Sequence, residues 1–95
     1  MDWKTTQEYF QHITAGEYYE NNGDDFENQT LYGEAKASFM KAFNFYEKAF
    51  RLAQVYNDSR ACDAYSRKEY CRDKISEMSC KESEKTSTDL DREID

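Results

Sequence analysis

The sequence predicts an all-α fold: a three-helix antiparallel bundle with a long central helix and a mobile acidic C-terminal tail. Three observations carry that expectation. Helix formers dominate a chain that contains no proline. The three glycines, at 16, 23 and 33, all fall in the first third. β-Branched residues nowhere alternate with polar ones over the five or six positions that a half-buried strand needs.

The first helix is expected from about Trp3 to Asn21. Asp2 stands ready as its N-cap, and Trp3, Thr6, Phe10 and Ile13 recur at helical spacing. The run Asn21-Asn22-Gly23-Asp24-Asp25 should end it. A linker then leads to Thr30, whose hydroxyl is placed to cap the second helix.

The second helix, expected over residues 31–56, has the strongest pattern. Tyr32, Ala35, Phe39, Ala42, Tyr46, Ala49, Ala53 and Tyr56 alternate spacings of three and four, a heptad seam of large and small groups. Phe43, Phe45, Phe50 and Leu52 flank the seam on both sides. A face this wide calls for two helical neighbours.

Asn57-Asp58-Ser59 reads as a break followed by an N-cap, opening a third helix over residues 60–80. Its inward residues are expected to be Ala61, Ala64, Tyr65, Cys71, Ile75 and Met78. Residues 1–80 thus form one domain. Residues 81–95 offer only Leu90 and Ile94 as apolar groups, too few to offset the entropy of ordering them, and are expected to be the tail.

Leu, Ile, Val and Phe make up thirteen of 95 residues, and the net charge is −7, a balance that by itself points toward disorder. Eight Tyr, six Phe and one Trp reverse that conclusion, because each aromatic buries on the order of 150–250 Å². The charge is bipolar: residues 1–34 carry eight acids and one Lys, residues 35–80 nine bases and six acids, and residues 81–95 six acids and three bases. Direct nucleic-acid binding, which needs a basic stripe, is disfavoured. There is no apolar run of membrane-spanning length and no leader-like apolar start, so a soluble, cytoplasmic protein is expected.

Chemistry-bearing constellations are weak. Cys62, Cys71 and Cys80 recur every nine residues, which on a helix puts successive thiols on opposite faces and roughly 13 Å apart along the axis, so neither a disulfide nor a zinc site is expected among them. His12 is the only histidine; Glu8, one turn away, would complete at most half a metal site. The glycines form no phosphate loop, and the acids at 20–27 do not match a calcium loop. No catalytic residue, metal or cofactor is assigned, and the protein is read as a non-enzyme.

The binding-type residues concentrate in "GEYYENNGDDFENQTLYGE", residues 16–34. Tyr18, Tyr19, Glu20, Asp24, Asp25, Phe26, Glu27 and Tyr32 are the candidate partner-binding set, since tyrosine supplies stiff apolar area together with a hydrogen bond.

Two helical-hairpin families resemble parts of the chain. "AGEYY" followed by "GEAKASFMKA" is similar to the tetratricopeptide pattern, with Gly16 and Tyr19 fitting its first helix and Ala35, Phe39 and Ala42 its second, across an insertion of about seven residues. Residues 5–80 resemble the microtubule-interacting-and-transport (MIT) domain in Ala35-Phe39-Ala42, in Ala42-Tyr46-Ala49 and in "RKEYCRDKISEM". That resemblance implies a three-helix fold that binds peptide tails beside its third helix, although the leucines that line such grooves are missing here.

The function expected from these readings is a small adaptor or inhibitor that docks on a larger protein, one with a basic surface, through its acidic Tyr-rich segment. Two alternatives stand beside it: a phage-type acidic antagonist that mimics nucleic acid toward a host nucleic-acid-binding or defence protein, and an MIT-like binder of peptide tails. A homodimer that buries Phe43, Phe45, Phe50 and Leu52 is a further expectation.

Overall fold

The structure, a computed structural model, describes the backbone of residues 1–94 and the side chains of residues 1–84. It consists of three helices, α1 (Trp3–Asn28), α2 (Tyr32–Val55) and α3 (Arg60–Ile94), with no strand among the described residues. α2 lies in the middle and packs along both neighbours, whereas the α1 and α3 backbones scarcely approach each other. The all-α three-helix bundle with a central second helix is therefore what the chain forms.

α1 begins where the sequence places it, with Asp2 Oδ1 accepting a 2.7 Å hydrogen bond from the Thr5 amide. It does not end at Asn21. The helix runs through Asn-Asn-Gly-Asp-Asp because its inward register, Tyr9, Ile13, Gly16, Glu20, Gly23 and Glu27, continues unbroken, with Gly23 buried against α2. Packing and capping at the far end outweigh the poor helix propensity of that run. Thr30 also has a different role from the one expected. It takes the left-handed conformation (φ 60°) and closes α1, its amide bonding to the Glu27 carbonyl and that of Leu31 to the Phe26 carbonyl, the Schellman pattern. α2 then starts at Leu31 with no side-chain cap.

The same device ends α2. Asn57 is left-handed (φ 53°), and the amides of Asn57 and Asp58 bond back to the Gln54 and Ala53 carbonyls. Asp58 then turns the chain into α3 by accepting from the Arg60 amide at 2.9 Å. α3 passes the anticipated end at Cys80, and Lys81 is held by Glu27 and Glu77. The side chains of the expected tail, from Lys85 onward, lie outside the described residues.

The core is a ladder of small groups set against large ones. Ala35, Phe39, Ala42, Tyr46, Ala49 and Ala53 of α2 are fully buried, while the outer members of the seam, Tyr32 and Tyr56, are only partly covered. α3 contributes Ala64, Cys71 and Met78, seven residues apart. Ala61 and Ile75 are half-covered, and Tyr65, expected inside, is exposed beside Phe50. Trp3 and Phe10 are likewise not core. They point to solvent, 76% and 49% exposed, because Tyr9 and the glycines occupy the buried side of α1.

Candidate functional site

The predicted partner-binding residues separate into two groups that face different ways. Glu20, Asp24 and Glu27 turn toward α3 and are used by the fold. Glu20 accepts a 2.9 Å hydrogen bond from the Tyr46 hydroxyl. Glu27 meets the ammonium groups of Lys74 at 2.6 Å and Lys81 at 2.8 Å. These contacts hold its carboxyl below the usual glutamate range. Burial pushes Asp24 above its ordinary value, while Lys74 and the Tyr70 hydroxyl act in the opposite direction.

Phe26 and Tyr32 cover the lower core around Ala35, Phe39 and Met78. Of the four acids in the candidate set, Asp25 is the exposed one. Tyr18 and Tyr19 belong elsewhere. They meet edge to face, and Tyr19 stacks flat on Phe45 of α2, with centroids 5.7 Å apart and planes 4° apart.

That aromatic pair forms one end of a broad open depression, about 790 Å³, on the outer face of α1. Trp3, Phe10, Tyr18, Tyr19 and Phe45 line it together with Gln7, Gln11 and Thr14. Helix geometry explains why these residues share a face. Positions 3, 7, 10, 14 and 18 recur every three or four residues, opposite the buried Tyr9, Ile13 and Gly16. Lys41 and Lys48 of α2 lie over the Tyr19 and Phe45 rings at 5.3 and 5.2 Å, marking the α2 rim.

The outward strip of Trp3, Gln7, Phe10, Gln11, Thr14 and Tyr18 contains no charged residue, in a chain of which 35% is charged. Depletion of charge with enrichment in aromatics characterises the buried centre of a protein interface. Sequence reasoning missed this strip by grouping Trp3 and Phe10 with the buried Ile13 in one run of helical spacing. The signal that would have found it is Gly16 and Gly23, in register with Tyr9, which fix the buried side of α1.

Comparison with protein-family models, with curated proteins and with solved structures finds no match to this chain. What the site can do must therefore come from its chemistry. It offers apolar area, amide and hydroxyl groups, and no paired nucleophile and base. His12 sits at the rim, its Nε2 3.9 Å from Glu8 and its ring 6.4 Å from Phe45. Among the described residues no cluster of His, Cys, Asp and Glu could hold a metal, and no helix is long and apolar enough to cross a membrane.

A second, smaller recess of about 240 Å³ lies beside α3, against Phe43, Arg72 and Ile75. It occupies the place where the MIT resemblance puts a peptide groove. Lys68 lines it, and its ammonium stands 4.8 Å from the Phe50 ring and 5.1 Å from the Tyr65 ring.

Proposed function

We propose that the chain is a non-enzymatic protein-contact module, acting as adaptor or inhibitor by docking, with the outer face of α1 as its docking surface. The observation that carries this reading is the uncharged aromatic strip from Trp3 to Tyr18. Exposed apolar patches of a few hundred Å² on a small domain commonly mark interaction sites. Trp3, Phe10 and Tyr18 are also residue types that anchor interfaces.

The acidic segment supports this assignment less well. A nucleic-acid mimic needs carboxylates free to stand in for phosphates, and Glu17, Glu20 and Glu27 are engaged by Arg67, Tyr46 and the Lys74–Lys81 pair.

The test is capture of binding proteins by the tagged chain, compared with a Trp3→Ala/Phe10→Ala/Tyr18→Ala variant and with Asp25→Lys, helical content being checked by circular dichroism. Binding should disappear in the aromatic variant and persist in Asp25→Lys. Retention by the aromatic variant, or loss in Asp25→Lys alone, would move the surface back to the acidic segment.

A further inference from the structure

The positions of the strip on α1 are spaced alike in both directions, with an aromatic residue at each end. Its members, at 3, 7, 10, 11, 14 and 18, are separated by 4, 3, 1, 3 and 4 residues, a spacing symmetric about the midpoint between Phe10 and Gln11. From this symmetry we infer that the occupant of the face is a second copy of the same chain, packed antiparallel along α1 about a two-fold axis at that midpoint. The inference rests on reading the face as a contact surface and names what covers it.

In that arrangement, positions whose numbers sum to 21 lie level with one another. Trp3 meets Tyr18 of the second copy, Gln7 meets its Thr14, and Phe10 meets its Gln11. Both ends close with an aromatic pair, and the middle pairs a ring with an amide. A two-fold contact must be self-complementary, and symmetric spacing brings each residue of the strip level with another member of the same strip. Gln7 and Thr14 point within about 20° of each other and sit roughly 10 Å apart along the axis, so each can reach the other only across the two chains.

Charge fits the same picture. Two chains of net charge −7 repel, and an uncharged strip is a surface on which they can meet without burying a like pair. The area sets the expected strength. Three rings about half or more exposed, with the amide and hydroxyl groups between them, amount to a few hundred Å² per copy, at the low end for specific interfaces. The dimer should therefore be weak, dissociating in the micromolar range, and should tighten with added salt as the repulsion is screened. Docking of the acidic chain on a basic partner would show the opposite salt dependence.

The measurement is sedimentation of the pure chain across roughly 1 to 500 µM at low and high salt. Mass should rise toward the dimer with concentration, more readily at high salt, and the Trp3 emission should shift to the blue in parallel. Phe10→Glu and, independently, Tyr18→Glu should each weaken association by about tenfold or more; both positions are exposed enough for the fold to survive.

Register is tested by cross-linking in a Cys62→Ser/Cys80→Ser background. Gln7→Cys/Thr14→Cys together should oxidise readily to a covalent dimer, and neither substitution alone should do so. A monomer at every concentration and salt overturns the second-copy inference while leaving α1 open to another protein. A dimer indifferent to Phe10→Glu and Tyr18→Glu places self-association on another face and overturns the inference, while the capture experiment still decides whether α1 docks another protein.

Discussion

Gly16 lies against the ring of Tyr46 so closely that a Cβ on the glycine would stand 2.5 Å from the ring's Cε1. Gly23 and Phe39 repeat the relationship one heptad along, at 2.7 Å. The two large side chains of α2 thus fit where α1 has no side chain, and Arg67 and Lys74 of α3 stand over the same two rings, at 5.9 and 5.7 Å. Lys81 over Tyr32, at 5.6 Å, continues the series. Each step is seven residues on α2 and seven on its neighbours, so one layer of structure repeats along the bundle.

Gly16→Ala should consequently destabilise the protein, although alanine is worth about 1 kcal/mol more than glycine in a helix. The added methyl cannot be accommodated without displacing the fully buried Tyr46 ring, and overpacking of this kind costs about 1–3 kcal/mol. Gly33→Ala is the control. Its Cβ would meet only the end of the Glu82 side chain, at 3.3 Å, and the substitution should be neutral or slightly stabilising in urea unfolding. A stabilised Gly16→Ala would mean that α1 sits farther from α2 than described.

The Tyr46 hydroxyl gives a second prediction. It donates to Glu20, and burial together with that carboxylate raises its pKa well above the ordinary tyrosine value. Tyr46→Phe keeps the ring that fills the Gly16 notch and removes only the hydrogen bond. A loss of about 0.5–1.5 kcal/mol is expected, with unchanged helical content.

The central helix could be read from sequence because its seam is written in the two residue sizes that a hydrophobic pattern registers, alanine and aromatic. α1 could be read only in part. Its buried register contains Gly16, Gly23, Glu20 and Glu27, none of which registers as hydrophobic, while the conspicuous Trp3 and Phe10 lie on the other side. On α3 each of Ala64, Cys71 and Met78 is followed three residues later by a cation, Arg67, Lys74 and Lys81, that looks solvated until acids on another helix are placed opposite it. Half of the predicted binding set, Glu20, Asp24, Glu27 and the ring of Tyr32, lies against that seam. Such pairings depend on which helices adjoin, information that no single helix carries. Thr30 illustrates the same limit at a helix end, since a residue suited to begin α2 instead closes α1 through its left-handed backbone.

Glu27 makes the seam sensitive to acid. The bonds from Lys74 and Lys81 hold its carboxyl below the ordinary 4.5, so its contribution is complete above pH 4.5 and is lost as pH falls through its lower value in the folded chain. Asp24 has the opposite sign: burial raises it above 3.8, and its protonation on the way down offsets part of the loss. Glu27→Gln should cost about 1–3 kcal/mol at pH 7. It should also flatten the fall in urea midpoint below pH 4.5. A variant with the same acid limb as the parent would show that the seam's pH dependence arises elsewhere.

The three thiols should differ sharply in reactivity. Cys62 and Cys80 are exposed on α3, whereas Cys71 is fully buried between Ala64 and Met78 in the core stripe, and its burial pushes the thiol up to about 12. Only the thiolate attacks a disulfide reagent, so Cys71 is protected twice, by access and by protonation. In native buffer a dithionitrobenzoate assay should titrate two thiols quickly, and the third should appear only in denaturant, at a rate that reports opening of α3 from α2. The coupling to packing can be checked directly. Gly16→Ala, by straining the layer that Tyr46 shares with Cys71, should speed labelling of the third thiol in proportion to its loss of stability, while Gly33→Ala should leave it unchanged. Rapid labelling of all three thiols in the native parent chain would place Cys71 outside the core and contradict the α2–α3 register itself.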